Sequence, residues 1–153
     1  MGLPLKIEHK FGIAASPEIV WAVISEFDSW KDWNPLYPEA SGRLAIGEVL
    51  NLTLVLPGGK PEVIRPKVVD WVPHMQLVWS LKLSGGLLRT TRYFEIEAVN
   101  DGKSSIVEHG EMFEGLAAPF LPKPLRRQIK RGFIDLSEAM QAEILRRHQA
   151  DAG

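Results

Sequence analysis

The strongest constraint on the fold is a long helical pattern near the end of the chain. Six large apolar residues recur there at steps of four, four, three, four and four: Leu125, Ile129, Phe133, Leu136, Met140 and Ile144. This spacing places all six on one face of a single helix. Gly132 lies on the same side, where it would allow a close approach to a neighbouring layer. Because a continuous apolar face must be covered, the sequence predicts a second layer packed against this helix.

The beginning of the chain predicts one strand followed by two short helices. Residues 5–13 alternate between apolar and charged side chains, with His9 on the apolar side. A period of two is typical of a strand with one buried face. Ser16-Pro17-Glu18 favours a helix start, because serine caps helices and proline suits the first helical position. A second short helix is predicted to end at Asn34-Pro35, since the residue before proline avoids the helical region.

Five further strands are predicted, at residues 50–56, 63–72, 75–83, 88–99 and 104–113. Pro66 falls within the second of them and predicts an irregularity or an exposed edge, because proline cannot donate to a strand ladder. Short turns join consecutive strands, which favours antiparallel pairing. The predicted fold class is α+β. We expect a helix-grip fold, in which a curved antiparallel sheet wraps around a long C-terminal helix, as one domain over residues 1–153.

Composition argues against several kinds of site and partner. The chain has no cysteine, which removes disulfides, thiolate nucleophiles and cysteine zinc sites. Its net charge of −1 gives no reason to expect nucleic acid as a partner. The four histidines lack metal-binding spacing, so we predict no metal, and no cofactor motif is present. No segment is long enough to span a membrane and no secretory signal is visible, so we expect no integral membrane association and a cytoplasmic location.

A tight turn fixes the register of the last two strands. Asp101-Gly102 suits a two-residue hairpin loop, which makes the numbers of paired residues sum to 203. Arg92 then faces Glu111, and Phe94 faces His109. Steps of two keep a residue on the same side of the sheet, so these side chains share the apolar face. The sequence therefore predicts a polar cluster on an otherwise apolar wall.

Several motifs together resemble the START/Bet v 1-like (SRPBCC) superfamily, and within it the polyketide cyclase/dehydrase-like branch. The likeness covers nearly the whole chain. It is carried by Ala15-Ser16-Pro17-Glu18-Ile19-Val20-Trp21, Phe27-Asp28-Ser29-Trp30-Lys31-Asp32-Trp33-Asn34-Pro35, Leu77-Val78-Trp79, Arg92-Tyr93-Phe94-Glu95-Ile96, His109-Gly110-Glu111-Met112-Phe113-Glu114-Gly115 and Gly132-Phe133.

This resemblance implies an apolar cavity between the sheet and the long helix. We expect the cavity to measure about 300–1,000 Å³. Its predicted ligand-binding residues are Trp33 at the mouth and, on the inward faces, Leu52, Leu54, Trp79, Leu81, Arg92, Phe94, His109, Glu111, Phe113, Ile129 and Phe133. The alternative is that the apolar side chains simply fill the core.

Three roles are open for the polar cluster. Arg92 and Glu111 could neutralise each other as plain structure, or they and His109 could receive the polar end of a ligand. In the third role, His109 acts as a catalytic acid or base. We accordingly predict a protein that binds or carries a small, mainly apolar molecule such as a lipid, polyketide, quinone or aromatic. The alternatives are a cyclase or dehydratase that uses His109 and Arg92, and a protein-interaction module like the cochaperone members of the superfamily.

Two features precede or open the long helix. Pro119, Pro122 and Pro124 predict a segment that does not join the helix smoothly and is a candidate gate. The first helical turns are basic, with Lys123, Arg126, Arg127, Lys130 and Arg131. A solvated face explains such a cluster most simply, and contact with a membrane surface or an acidic partner is the alternative.

Overall fold

The computed structural model describes residues 4–152 and contains, within that range, eight strands and three α-helices. In chain order these are β1 (Leu5–Ile13), α1 (Pro17–Ser25), α2 (Trp30–Trp33), β2 (Glu39–Ser41), β3 (Asn51–Leu54), β4 (Glu62–Ile64), β5 (Lys67–Val72), β6 (Gln76–Leu83), β7 (Leu88–Val99), β8 (Ser104–Glu114) and α3 (Lys123–Ala152). Short 3₁₀ turns occupy Phe27–Ser29, Ser84–Gly86 and Ala118–Phe120.

The main sheet has five antiparallel strands in the order β1-β8-β7-β6-β5. The first strand of the chain pairs with the last, and the strands from β5 to β8 follow one another through short connections. With α3 across its inner side, this arrangement confirms the predicted α+β helix-grip class.

A second sheet of three strands, ordered β2-β3-β4, differs from the prediction of a single continuous set. The strand expected at residues 63–72 is split at Arg65-Pro66 into β4 and β5, which belong to different sheets. The irregularity expected at Pro66 is thus a break, because proline lacks the N–H that would continue the ladder. The backbone of residues 47–50 bonds to that of residues 66–68 beside β5, so the two sheets remain connected.

The core lies between the main sheet and α3. Five of the six predicted helix residues are 0–4% exposed: Ile129, Phe133, Leu136, Met140 and Ile144. The sixth, Leu125, is partly buried. A Cβ atom on Gly132 would lie 2.9 Å from Leu36 Cδ1, so the helix does approach a neighbouring segment closely at this glycine. Within residues 4–152 no helix is both long and apolar enough to cross a membrane.

Candidate functional site

Arg92 on β7 and Glu111 on β8 form a buried ion pair. They are directly opposed in the β7–β8 register, as the Asp101-Gly102 turn predicted. Both residues of that turn have positive φ, 56° at Asp101 and 78° at Gly102. Arg92 Nη2 donates to Glu111 Oε1 at 2.6 Å, and the two side chains are 6% and 4% exposed. The predicted polar cluster therefore exists on the inner face of the sheet.

Tyr37 extends this pair into a network and was missed by the sequence analysis. Its hydroxyl accepts a hydrogen bond of 2.6 Å from Arg92 Nη1. The connection after α2 places it there, because Asn34 Oδ1 accepts bonds from the backbone N–H groups of Leu36 and Tyr37. Tyr37 is fully buried, and burial raises the pKa of its hydroxyl. Asn34-Pro35 signalled a turn, but no local pattern indicated which strand Tyr37 would reach.

His109 lies at the end of this hydrogen-bond network, and its two hydrogen bonds define its tautomer. Its Nδ1 lies 2.8 Å from the backbone oxygen of Tyr93, which can only accept, so Nδ1 carries the proton. Nε2 consequently accepts from the Tyr37 hydroxyl at 3.1 Å. Burial, with the positive charge of Arg92 as a second cause, holds the pKa of His109 well below its ordinary value of 6.5. The imidazole is therefore neutral near neutral pH, with both nitrogens occupied.

Arg92 remains positively charged despite its burial. Desolvation would lower the pKa of the guanidinium, but the neighbouring Glu111 carboxylate and Tyr37 hydroxyl outweigh this effect and raise it. Arg92 also lies 5.5 Å from the ring centre of Tyr37 and 5.6 Å from that of Phe133. Aromatic faces at such distances attract a cation. The site thus holds a fixed guanidinium on an apolar wall.

A cavity of about 150 Å³ lies beside this network, between β3 and β4, the inner face of β6–β8 and the beginning of α3. Twelve of its lining residues are apolar and four are polar. The polar ones are Glu62, Thr90, Arg92 and Glu111. The apolar ones are Leu54, Leu56, Ile64, Pro66, Trp79, Leu81, Leu83, Leu88, Phe113, Leu121, Leu125 and Ile129. The volume is smaller than the sequence-based expectation.

Seven of the twelve predicted ligand-binding residues border this cavity: Leu54, Trp79, Leu81, Arg92, Glu111, Phe113 and Ile129. The other five lie elsewhere. Leu52, Phe94, His109 and Phe133 are at most 1% exposed and belong to the packed interior. The His109 ring stacks on Phe94 at 4.0 Å and meets Phe133 edge-on at 4.6 Å. Trp33 packs against Trp30 and does not border the cavity.

Phe94 and Phe133 therefore do not border this cavity. Together with His109, these rings pack against one another in the interior. Alternation along a strand indicates which side of the sheet a residue faces, but not how far its neighbours fill that side. Among residues 4–152 no cluster of potential metal ligands is found.

Comparison with known proteins assigns this architecture to a family. A family model described as polyketide cyclase/dehydrase and lipid transport matches residues 4–141. The chain belongs to this family. Its resemblance to the START/Bet v 1-like superfamily is confirmed by the same match and by solved structures of related folds. No curated protein matches the sequence significantly.

Three solved structures illustrate how widely this fold is shared. The Zhui aromatase/cyclase from Streptomyces sp. R1128 is 16% identical, with a TM-score of 0.79 and 99% of each chain covered. A START superfamily protein from Mycobacterium smegmatis is 18% identical, with a TM-score of 0.72 over 92% of this chain and 97% of the other. Major latex-like protein 151 from Panax ginseng is 11% identical, with a TM-score of 0.73 over 94% and 99%. At these identities the likeness establishes the fold.

The chemistry available in this family member follows from which groups reach the cavity. Arg92 and Glu111 border it, and each has hydrogen-bonding capacity beyond the bonds described above, since a carboxylate has about four acceptor positions and a guanidinium five donors. Thr90 adds a hydroxyl. His109, by contrast, reaches the cavity only through Tyr37 and Arg92. The arrangement is therefore suited to binding a polar group and poorly suited to direct proton transfer by the imidazole.

Proposed function

We propose that the protein binds a small, mainly apolar molecule in the cavity beside Arg92, with one polar group of the ligand held by the cavity wall. The observation that carries this proposal is the lining itself, in which twelve apolar residues surround a short polar wall. Apolar pockets with a few convergent polar groups are the usual form of small-molecule sites. The family description, which includes lipid transport, is consistent with this function.

The cavity volume sets the size of the ligand. An engineered protein cavity of about 150 Å³ is known to take up benzene. The present cavity has the same volume, so it accommodates one aromatic ring or an acyl segment of similar size. Among lipids, polyketides, quinones and aromatics, this favours a compound whose buried part is a single ring.

The polar wall sets the chemistry of the ligand's polar group. Glu111 uses Oε1 to accept from Arg92, and a carboxylate retains further acceptor positions. A ligand hydroxyl would donate to this carboxylate and accept from Thr90. We therefore propose a ring that carries a hydroxyl group, of which phenol is the simplest example.

The position of His109 favours a ligand-binding function over one in which His109 is a catalytic acid or base. A general acid or base must lie within hydrogen-bond reach of the reacting proton, and His109 is separated from the cavity by Tyr37 and Arg92. The low pKa of His109 also makes it a poor proton donor at neutral pH. The ligand-free interaction module receives no support from an apolar cavity with a polar wall.

Phenol and benzene are suitable probes, because they differ only in the hydroxyl group. We expect phenol to bind more tightly than benzene in isothermal titration of the intact protein. Thr90→Val preserves the shape of the side chain and should weaken phenol binding while leaving benzene binding unchanged. Leu81→Phe, which fills the cavity, should abolish both, whereas Val78→Phe on the opposite face of β6 is the matched control. Equal binding of both probes would contradict the role of the polar wall. Binding that survives Leu81→Phe would contradict the cavity as the site.

A further inference from the structure

We propose that the protein docks on anionic lipid bilayers through the surface around its cavity mouth. This mouth surface consists of three exposed apolar residues, Leu87, Leu116 and Phe120, and three basic residues at the start of α3, Lys123, Arg126 and Arg127. The proposal goes beyond ligand binding in the cavity and does not depend on which molecule the cavity takes.

The three apolar residues are unusually exposed for their size. Leu87 is 52% exposed, Leu116 78% and Phe120 82%. They lie on two connections that contact each other, since the backbone N–H of Ala117 donates to the oxygen of Leu87 at 3.0 Å. A group of large apolar side chains held outside the core marks a surface that meets an apolar partner.

This surface adjoins the lining of the cavity. Leu88 follows Leu87 directly, and Leu121 follows Phe120 directly, and both border the cavity. Leu125, in the first turns of α3, borders it as well. A partner on the mouth surface would therefore lie immediately beside the space that receives the ligand.

The basic residues of the mouth surface carry uncompensated charge. Among residues 4–152 no salt bridge involves Lys123, Arg126 or Arg127. Arg126 instead donates to the backbone oxygen of Leu121 at 3.0 Å, which attaches it to the segment that carries Phe120. Lys123, Arg126 and Arg127 also stand at the positive end of the helix dipole, and the first turn contains no acidic residue. Cations destabilise a helix at that end, so helix stability does not explain the placement of Lys123 and Arg127.

Basic charge continues from the mouth surface along α3. An open groove of about 480 Å³ between β1 and α3 is lined by Lys6, Arg126, Arg127, Lys130 and Arg131, with Glu8 as the acidic member. Lys6 pairs with Glu8 and Glu108, and Arg131 pairs with Asp135, whereas Lys130 donates to the backbone oxygen of Glu8. The chain as a whole has a net charge of −1, so the positive charge is local to this side.

The combination fits an anionic bilayer better than an acidic protein. Phe and Leu side chains that enter the acyl region and Lys or Arg side chains that contact phosphate or carboxylate headgroups are the two components of interfacial binding. A protein partner would have to provide a separate matching pocket for each projecting side chain, while acyl chains adapt to any shape. We therefore assign the surface to lipid headgroups and the outer part of the acyl chains.

Sedimentation with vesicles tests the proposal. We expect the protein to sediment with vesicles of phosphatidylcholine containing phosphatidylserine, and much less with phosphatidylcholine alone. Leu116→Ser combined with Phe120→Ser should weaken binding about tenfold or more, because two large apolar side chains lose their burial. Lys123→Glu or Arg127→Glu should weaken it at least about fivefold each, and 1 M salt should abolish it.

Matched controls lie at the other end of the molecule. Leu145 is 58% exposed on the same helix, about 33 Å along its axis from Lys123 at 1.5 Å per residue. Leu145→Ser and Lys103→Glu should leave vesicle binding unchanged, and melting temperatures should show that all variants fold. Equal losses in the controls and the mouth variants would overturn the proposal.

A second measurement uses the absence of cysteine from the chain. Phe120→Cys and Leu145→Cys each provide one labelling site for an environment-sensitive fluorophore. On addition of phosphatidylserine vesicles, the label at position 120 should shift to the emission of an apolar environment, and the label at position 145 should not. Vesicle binding without this difference would overturn the proposed orientation. Binding to polyglutamate, with no binding to either vesicle, would overturn the lipid surface and identify an acidic protein partner.

Discussion

Replacing Arg92 with leucine is the most informative test of the polar network. The change removes the counter-charge of Glu111, whose side chain is 4% exposed, and one hydrogen bond to the Tyr37 hydroxyl. Breaking a buried ion pair by removing one partner costs about 3–5 kcal/mol, because it leaves an uncompensated buried charge. Glu111 borders the cavity, so water that reaches the carboxylate will reduce the loss. We therefore expect a decrease of about 3 kcal/mol in the free energy of unfolding.

Urea denaturation followed by tryptophan fluorescence measures this loss. For a denaturant slope of about 2 kcal/mol per molar, a loss of about 3 kcal/mol moves the midpoint by roughly 1.5 M at unchanged slope. The double variant Arg92→Leu/Glu111→Leu removes both charges, and should recover much of the stability lost by the single variant. This recovery distinguishes a stranded charge from a loss of packing.

The chain provides a matched control on the same two strands. Arg89 and Glu114 are also directly opposed in the β7–β8 register, but both residues are exposed. Arg89→Leu should change stability by no more than about 0.5 kcal/mol, as surface substitutions usually do. If Arg92→Leu costs no more than Arg89→Leu, or if the double variant is no more stable than Arg92→Leu, the buried pair does not have the role assigned to it.

Two further tests concern the polar network and two concern other parts of the fold. In the folded protein the pKa of His109 lies well below 6.5, whereas the imidazole of the unfolded chain titrates near about 6.5. The contribution of the neutral imidazole to the free energy of unfolding is therefore present above that pH and is lost as the pH falls. Urea titrations should therefore show wild type losing about 1 kcal/mol more than His109→Gln between pH 6.5 and 5.5, and identical pH profiles would refute a neutral His109. Tyr37→Phe should lower the free energy of unfolding by about 1–3 kcal/mol, since Arg92 and His109 each lose a partner; an unchanged urea midpoint would contradict the network. A Cβ atom at Gly110 would lie 2.3 Å from Tyr93 Oη, so Gly110→Ala should cost about 1–3 kcal/mol in thermal denaturation, and full stability would show that Tyr93 moves aside freely. Deletion of the chain from Leu125 onward should abolish cooperative melting in circular dichroism, and a monomeric truncated protein with a sharp transition would show that the sheet folds without α3.

Local rules predicted the elements whose partners are close in sequence. The Asp101-Gly102 turn fixed the register of its hairpin, because a two-residue loop determines every pair that follows. The step pattern from Leu125 to Ile144 identified the buried face of α3. Pro66 indicated an irregularity, but its consequence, two strands in two sheets, depends on which segments lie beside it.

Contacts between distant segments could not be predicted in this way. Tyr37 reaches Arg92 and His109 from an irregular connection, and their separation along the chain is 55 and 72 residues. The hydrophobic periodicity of the sequence does not predict such a contact. The size of the cavity could not be predicted from a sequence pattern either, because it depends on how the rings of Phe94, His109 and Phe133 pack in three dimensions.

The two ends of the cavity differ in how rigidly their side chains are held. At the polar wall, hydrogen bonds from Glu111 through Arg92 and Tyr37 to His109 fix every side chain before a ligand arrives, so little ordering entropy remains to be lost there. At the other end, Leu88 is the first residue of β7 and Leu121 lies on the short connection before α3, each next to a turn. Substitutions at this end should therefore change the length of ligand that is accepted without changing preference for its polar group. Selectivity for the polar group of the ligand and tolerance for the length of its apolar part would then be separable properties. Each could be engineered independently in this one domain.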